Sequence, residues 1–429
     1  MKSFFFLMLL AAAAVATQAQ SLTATEQKIV AEVQRQHAAN VELLKETVNI
    51  NSGSLNIAGV KAVGEKLAAA YRKIGFTTEW ISLPDSLKRA GHLVAYRKGK
   101  KGKRILMIGH LDTVFEPDME ANPFRMINDS TATGQGVVDM KGGNVMMLAI
   151  CQALANLNLI DDATIVCYYT GDEESTGSPE WVSRQDFIAR AKASDIALGF
   201  ETAQNFSTVA IGRRGSSSWK LTVQGKQSHS AGMFGANGSY GAIYEAARIL
   251  TEFRQKLEGE KYLTFSPGVI AGGTELNTND EAFRATVSGK TNIIAPATVV
   301  YGDLRFLGEQ QKANARNNMR QIVVNNLRGT AAQIEFYDGF PSMEPKPGNL
   351  QLVQQLNDVS MAMGLGPVKA GDPGSRGAGD ISWVAQYVDC IDGLGASGGG
   401  AHAPGEIINM KELPRLTERA AVLVYRLTR

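Results

Sequence analysis

Apolar positions recur every three to four residues over 23–48, where Ile29, Val30, Val33, Leu43 and Leu44 share one face, and they predict a helix. A second helical pattern covers 57–74 and stops at Gly75. The period then changes. Short unbroken apolar runs at 104–110 (RILMIGH), 163–170 (ATIVCYYT) and 195–201 (DIALGFE) read as buried strands. Residues 140–157 between them read as a helix carrying Val145, Leu148, Ala149 and Cys151. Apolar strands separated by helices predict a mainly parallel sheet covered on both faces.

From about Gly215 the pattern alternates instead. Residues 219–225 (WKLTVQG) read as a half-buried strand, followed by a helix at 239–257, a strand at 299–306, a helix at 309–327 and a strand at 332–339. This block is large enough for its own layer of helices on an antiparallel sheet. Past Pro341, helices and short strands return, with a glycine-rich stretch at 371–405 and an amphipathic tail helix at 413–427. The expected fold is α/β. One domain, from residues 20–213 and 340–429, is interrupted by an inserted α+β domain at 214–339. A chain of 429 residues is long for one hydrophobic core, which agrees with two domains.

Residues 1–19 combine Lys2, a short apolar core from Phe4 to Val15, and small residues Thr17 and Ala19. They read as a signal peptide cut after Ala19, so the chain is expected to be exported, to a periplasm or outside the cell. The apolar run is too short to span a bilayer, and no later stretch reads as a membrane anchor. The formal net charge is +2 with no polybasic tract, which argues against nucleic acid as a partner. Cys151, Cys167 and Cys390 lie in apolar segments and form no CxxC pair, so they read as core residues rather than a disulfide framework.

The candidate chemistry sits just after the apolar strands, where open α/β sheets bind ligands. His110-Leu-Asp112 follows the first, Asp172-Glu173-Glu174 the second, and Glu201 ends the third. In His110-x-Asp112 the histidine reads as a metal donor and the aspartate as its orienting partner; taken alone, so short a motif reads more readily as the mere end of a strand. Gly134-Gln-Gly136-Val-Val-Asp139 is a weak match to a dinucleotide loop, since no obvious strand precedes it. It reads better as a turn that brings one carboxylate, able to bridge two metals, to a helix start, although Asp139 alone is an ordinary N-cap. Adjacent Glu173 and Glu174 repel unless cations neutralise them. One would ligate and the other act as general base; the plain alternative is a solvated acidic loop. His402 lies in a glycine- and proline-bounded loop suited to presenting a side chain inward. His229, in the inserted block, is either an oxyanion donor or an ordinary histidine.

Taken in order, GHLDTVF (109–115), GQGVVDMKGG (134–143), TGDEESTGS (170–178), GFE (199–201), SHSAG (228–232), TNIIAPA (291–297) and GAHAPGE (400–406) resemble the M20 family of metallopeptidases. The resemblance covers nearly all of the chain after residue 19 and is nearest to the glutamate carboxypeptidase branch. It implies a catalytic domain with an inserted lid and dimerisation domain, and hence a homodimer. It implies two zinc ions per subunit, with cobalt or manganese as substitutes. His110 and Glu201 would hold one ion, Glu174 and His402 the other, and Asp139 would bridge them. Glu173 would be general base and proton shuttle on a metal-bridging water, with Asp112 supporting His110. The Asp139–Met140 peptide would be cis, and His229 would stabilise the oxyanion. Asn292 and Arg305 would bind the substrate's free carboxylate.

The implied reaction is cleavage of a peptide or amide bond beside a free carboxylate, in a small peptide or an N-acyl amino acid. An N-acyl amino acid deacylase or dipeptidase would use the same metal site. A non-catalytic binding protein on this scaffold would have lost a ligand or the base, and none is missing. One departure stands out: Phe340 precedes Pro341 where glutamate carboxypeptidases carry an arginine, which argues for a less acidic residue in the pocket. Arg213, Arg214 and Arg376 are further cations able to contact a carboxylate, though each reads more often as a surface charge.

Overall fold

The computed structural model describes residues 21–429; the signal-peptide reading of residues 1–19 falls outside that range. The strand Lys101–His110 shows why its apolar run is unbroken. Ile105 and Met107 enter one hydrophobic cluster, while Leu106 and Ile108 enter another on the opposite face. Side chains alternate across a strand, so a strand covered twice must be apolar at every position.

That strand is central in a six-stranded sheet ordered Thr77–Ile81, His92–Arg97, Ala163–Thr170, Lys101–His110, Ile196–Gly199, Asp389–Ile391. The last four run parallel. The first two add an antiparallel edge, so the sheet is mainly but not wholly parallel. The edge strands Thr77–Ile81 and Asp389–Ile391 escape the sequence pattern because, at five and three residues, they are too short to show a period. On one face pack the helices Ala24–Val48, Gly142–Asn156 and Glu412–Leu427. The first is opened by a capping box in which Thr23 and Glu26 satisfy each other's backbone N–H groups. On the other face pack Glu180–Lys192 and the short helix Ile381–Val384.

Residues between these parts form a second sheet, wholly antiparallel, ordered Thr264–Gly273, Ala297–Phe306, Gly215–Gly225, Thr330–Asp338. Helices Gly241–Leu257 and Glu309–Val323 cover one face around Trp219, Leu221, Val300 and Leu304. Two features here were not expected. Thr264–Gly273 contains Pro267 and three glycines, a composition that hides a strand; it lies at the sheet edge and bulges at Pro267–Val269, where a missing N–H is tolerated. A polar hairpin, Glu275–Asn279 with Arg284–Ser288, follows it.

The three cysteines are buried and free, with Cys151 and Cys167 sulfurs 3.7 Å apart. Among the described residues no helix is long and apolar enough to cross a membrane.

The two separated parts of the first domain are joined by buried charge. Arg184 Nη1 lies 2.5 Å from Asp172 Oδ1, and its Nη2 lies 2.9 Å from Asp380 Oδ1. Asp380 also accepts a hydrogen bond from Thr170. Removing one partner of a buried pair strands the other's charge. Arg184→Leu is therefore expected to destabilise this domain by about 3–5 kcal/mol, measured as a lower urea midpoint by circular dichroism. A midpoint equal to wild type would show that the triad does not hold the two parts together.

Candidate active site

Strand register levels the candidate residues. His110 pairs with Thr170, and Ile108 with Gly199, so three parallel strands end at one height. The residues just beyond them, Asp112, Glu173, Glu174 and Glu201, therefore emerge around one cleft. Asp139 enters from the turn before helix Gly142–Asn156, and His402 from the loop after Gly398–Gly399. His402 takes a left-handed φ of 64°, unusual for a side-chain-bearing residue. The Asp139–Met140 peptide is cis, as the resemblance implies.

His110 Nε2 lies 3.2 Å from Asp139 Oδ1 and 3.6 Å from Glu201 Oε1. On the other side His402 Nε2 lies 3.2 Å from both Asp139 Oδ2 and Glu174 Oε2. Two donor sets result, His110–Asp139–Glu201 and Asp139–Glu174–His402, each compact enough for one cation. They share Asp139 through its two oxygens. A third grouping, His110–Glu173–Glu174, shows that Glu173 borders the same space.

The electrostatics call for cations. Burial pushes the Glu173 carboxyl well above its usual range despite nearby His110, and it raises Glu174 too. Burial, with the Asp139 charge, pushes Glu201 up to about 7. Asp139 goes the other way: burial opposes ionisation, but hydrogen bonds from His110 and His402 hold it well below the carboxylate range. Those histidines keep it charged. Hydrogen bonds to Asp139 and Glu174 lift His402 to about 11. Glu174 Oε1 is buried without a hydrogen-bond partner. Crowded carboxylates, imidazoles bound to them and an orphaned oxygen fit divalent cations among these donors.

Supporting contacts refine the sequence reading. His110 Nδ1 meets the backbone carbonyl of Asp112 at 3.0 Å, while the Asp112 carboxylate is 3.6 Å away. That carboxylate instead accepts the backbone N–H groups of Glu173 and Glu174, both at 3.0 Å, and the Ser54 hydroxyl at 2.6 Å. Asp112 thus fixes the Glu173–Glu174 turn as well as the imidazole. Glu406, not singled out from sequence, is fully buried and accepts N–H groups of Gly136, Val138 and Asp139 at 3.0, 2.7 and 2.9 Å. Its only sequence signal is its place in GAHAPGE. Lys141, also buried, donates to Ile50 O at 2.9 Å, and burial pushes its ammonium down to about 7.

The remaining candidates lie elsewhere. His229 and Asn292 are exposed neighbours on the inserted domain: Ser230 N–H donates to Asn292 O at 2.9 Å, and His229 bridges Ile293. Among the described residues no hydrogen bond or ion pair joins His229 to the carboxylate cluster. Arg305 pairs with Asp303 at 2.8 Å and lines a cleft of about 560 Å³ that also includes Ser178 and Glu180 of the first domain. The Phe340 ring packs on Trp383, centroids 5.7 Å apart. Two arginines read as surface charges are not. Arg213 is buried, 2.6 Å from Asp392 and donating to the carbonyls of Gly377 and Ala378. Arg376 is largely buried, and the neighbouring Arg213 charge adds to the burial that lowers its pKa. Among the described residues its guanidinium makes one hydrogen bond, to Thr202 O, 2.5 Å away and next to Glu201.

Metallopeptidases are the class in which an α/β sheet with an inserted domain presents such a donor set at its strand ends. The sequence assigns the family: the chain belongs to peptidase family M20/M25/M40, matched over residues 106–426. Carboxypeptidase G2 of Pseudomonas sp. (strain RS-16) is 26% identical over 403 residues, covering 90% of this chain and 88% of the relative. Aminopeptidase PepT from Bacillus cereus shares the fold, with a TM-score of 0.69 at 17% identity over 92% of this chain and 99% of that one. So does a dinuclear metal-binding M20 peptidase from Bacillus subtilis, with a TM-score of 0.65 at 12% identity over 92% and 99%.

The Glu406 clamp carries a direct consequence. Glu406→Ala releases three N–H groups and the turn that aims Asp139. Metal affinity is expected to fall about 10- to 100-fold, the usual effect of losing an outer-shell support, in competition with a chromophoric chelator. Unchanged affinity would show that the turn holds Asp139 without the clamp.

Proposed function

We propose that the protein is a dinuclear hydrolase that cleaves a peptide or amide bond beside a free carboxylate, in the manner of a glutamate carboxypeptidase. The observation that carries this reading is the pair of donor sets sharing Asp139, with Glu173 on their border. His110 and Glu201 would hold one ion, Glu174 and His402 the other, and Asp139 both. Imidazole and carboxylate donors favour zinc, with cobalt or manganese as substitutes. When bound, such ions polarise the scissile carbonyl and acidify water.

The chain's own residues do the rest. Glu173, half-buried and raised in pKa, is suited to take a proton from the attacking water and return it to the leaving amine. Asp112 holds the Glu173 backbone, so the base stays fixed while it turns over. Arg305 would take the substrate's carboxylate, an arginine fork suiting bidentate contact; Asn292, exposed beside His229 and beyond the other end of the strand Ala297–Phe306, would join it only through the same movement or second subunit that His229 needs. His229 would stabilise the oxyanion. Because it lies apart from the cluster, it would need closure of the inserted domain or a second subunit. The inserted domain offers the surface for one: Tyr244 on helix Gly241–Leu257 and Ile270 on the edge strand Thr264–Gly273 are 53% and 56% exposed. An N-acyl amino acid deacylase or dipeptidase would keep this machinery and differ only around the acyl group.

Glu173→Gln is expected to retain two metals per chain by elemental analysis. Its kcat should fall by at least about 10²- to 10⁴-fold, the range for losing a general base. The substrate test is a panel of N-acyl amino acids and dipeptides, with and without chelator and added zinc. Chelator-sensitive cleavage confined to substrates with a free C-terminal carboxylate is expected. Activity retained in Glu173→Gln, or cleavage indifferent to the carboxylate, would overturn the reading. Ile270→Lys is expected to halve the mass measured by sedimentation if the inserted domain forms the dimer; a wild-type monomer would refute that arrangement.

A further inference from the structure

The cleft beside Arg305 has a charge balance that its sequence does not announce. Its walls come from three places: Ser178 and Glu180 of the first domain, the uncovered face of the inserted sheet, and the tip of the hairpin Glu275–Asn279/Arg284–Ser288. The tip is folded down onto the sheet. Asp280 lies 2.5 Å from Lys220 Nζ and accepts the Tyr301 hydroxyl at 2.5 Å, and Phe283 meets Tyr301 edge-on at 5.8 Å.

Five carboxylates face this space. Three are neutralised: Asp280 by Lys220, Asp303 by Arg305, and Asp338 by Lys312 and Arg316. Glu180 and Glu281, on opposite walls, have no ion-pair partner among the described residues. Burial raises the Glu180 carboxyl, and the nearby Asp172 and Asp338 charges add to the rise while Arg184, itself paired with Asp172 and Asp380, offsets part of it. The aromatic faces of Phe283 and Tyr337 are also open, 44% and 41% exposed. Aromatic faces attract cations and pack on alkyl chains. Phe340, which follows the wall residue Gly339, brings no compensating cation.

We propose that this cleft receives the side chain of the residue released by cleavage, and that Glu180 and Glu281 select a basic one, lysine- or arginine-like, while Arg305 holds its carboxylate. This rests on the carboxypeptidase reading above. Ser178 and Glu180 lie four to seven residues after Glu173 and Glu174 in the chain, so this wall of the cleft leads on from the turn that carries the base. An alkyl stem would lie along Phe283 and Tyr337, with its cationic head between the two glutamates. A glutamate side chain in the same place would meet uncompensated negative charge from both walls.

The test compares benzoyl-glycyl substrates ending in lysine, arginine, norleucine and glutamate, assayed with the metal-loaded full-length enzyme. Norleucine matches the lysine stem without its charge. The expected kcat/KM for lysine exceeds that for norleucine by about tenfold, a typical discrimination for a partly desolvated charge pair, with glutamate poorest. In Glu180→Gln/Glu281→Gln the lysine-to-norleucine ratio is expected to drop toward one. As a measurement independent of variant folding, free lysine is expected to inhibit the wild type more strongly than free norleucine. Equal cleavage of lysine and norleucine substrates, preference for glutamate, or a ratio that survives the double substitution overturns this inference alone. No chelator-sensitive cleavage of any member overturns the carboxypeptidase reading and this inference with it.

Discussion

Like charges crowded within a few ångströms, in a cleft that partly screens them from water, govern this structure. Asp139, Glu173, Glu174 and Glu201 crowd around two histidines, and carboxylates so placed repel strongly where the dielectric is low. Such a cluster persists only if the backbone beneath it is held rigidly and if cations enter it. Much of the surrounding architecture supplies the first condition. Asp112 pins the N–H groups of Glu173 and Glu174, Glu406 pins the turn that carries Asp139, and Asn144 donates to the carbonyl of His110 at 2.5 Å. Behind them the Arg184 triad ties the same loop to the second half of the domain. The donor set itself invites the second condition.

Anchoring charges and working charges are therefore separated in space. The anchors are paired inside the protein: Arg184 with two aspartates, Arg213 with Asp392, Glu406 with backbone N–H groups. The working groups lack full partners. Glu174 Oε1 has none, and Arg376 uses one donor on Thr202 beside the cluster. The same contrast extends into the cleft under the inserted domain, where three carboxylates are matched and two are not. Unmatched groups at the rim of a matched scaffold are where a ligand gains binding energy, because the protein has already met the ordering cost of the rest.

Much of the catalytic-domain architecture was legible in the chain. The strand 163–170 and the helices at both ends follow the expected periods closely, because covered strands and amphipathic helices leave strong patterns. The strands Thr77–Ile81, His92–Arg97 and Asp389–Ile391, the bulged strand at 264–273 and the hairpin at 275–288 were not legible. Edges need few apolar residues and tolerate proline and glycine, so their sequences resemble loops. The turn at 134–139 follows a three-residue strand, Thr131–Thr133, too short to leave a pattern.

The sequence by itself determined the set of residues capable of the chemistry, because imidazoles and carboxylates placed just after apolar strands are constrained by the fold that such strands must form. It could not determine partnerships. Which acid supports His110 and which supports the turn, whether Arg213 and Arg376 are surface or interior, and which carboxylates of the Arg305 cleft remain uncompensated all depend on side chains far apart in the chain. Register and packing alone bring Asp112 to Glu173, Glu406 to Asp139, and Asp380 to Arg184. Hydrogen bonds and ion pairs act over a few ångströms of space, and linear spacing carries no record of those distances.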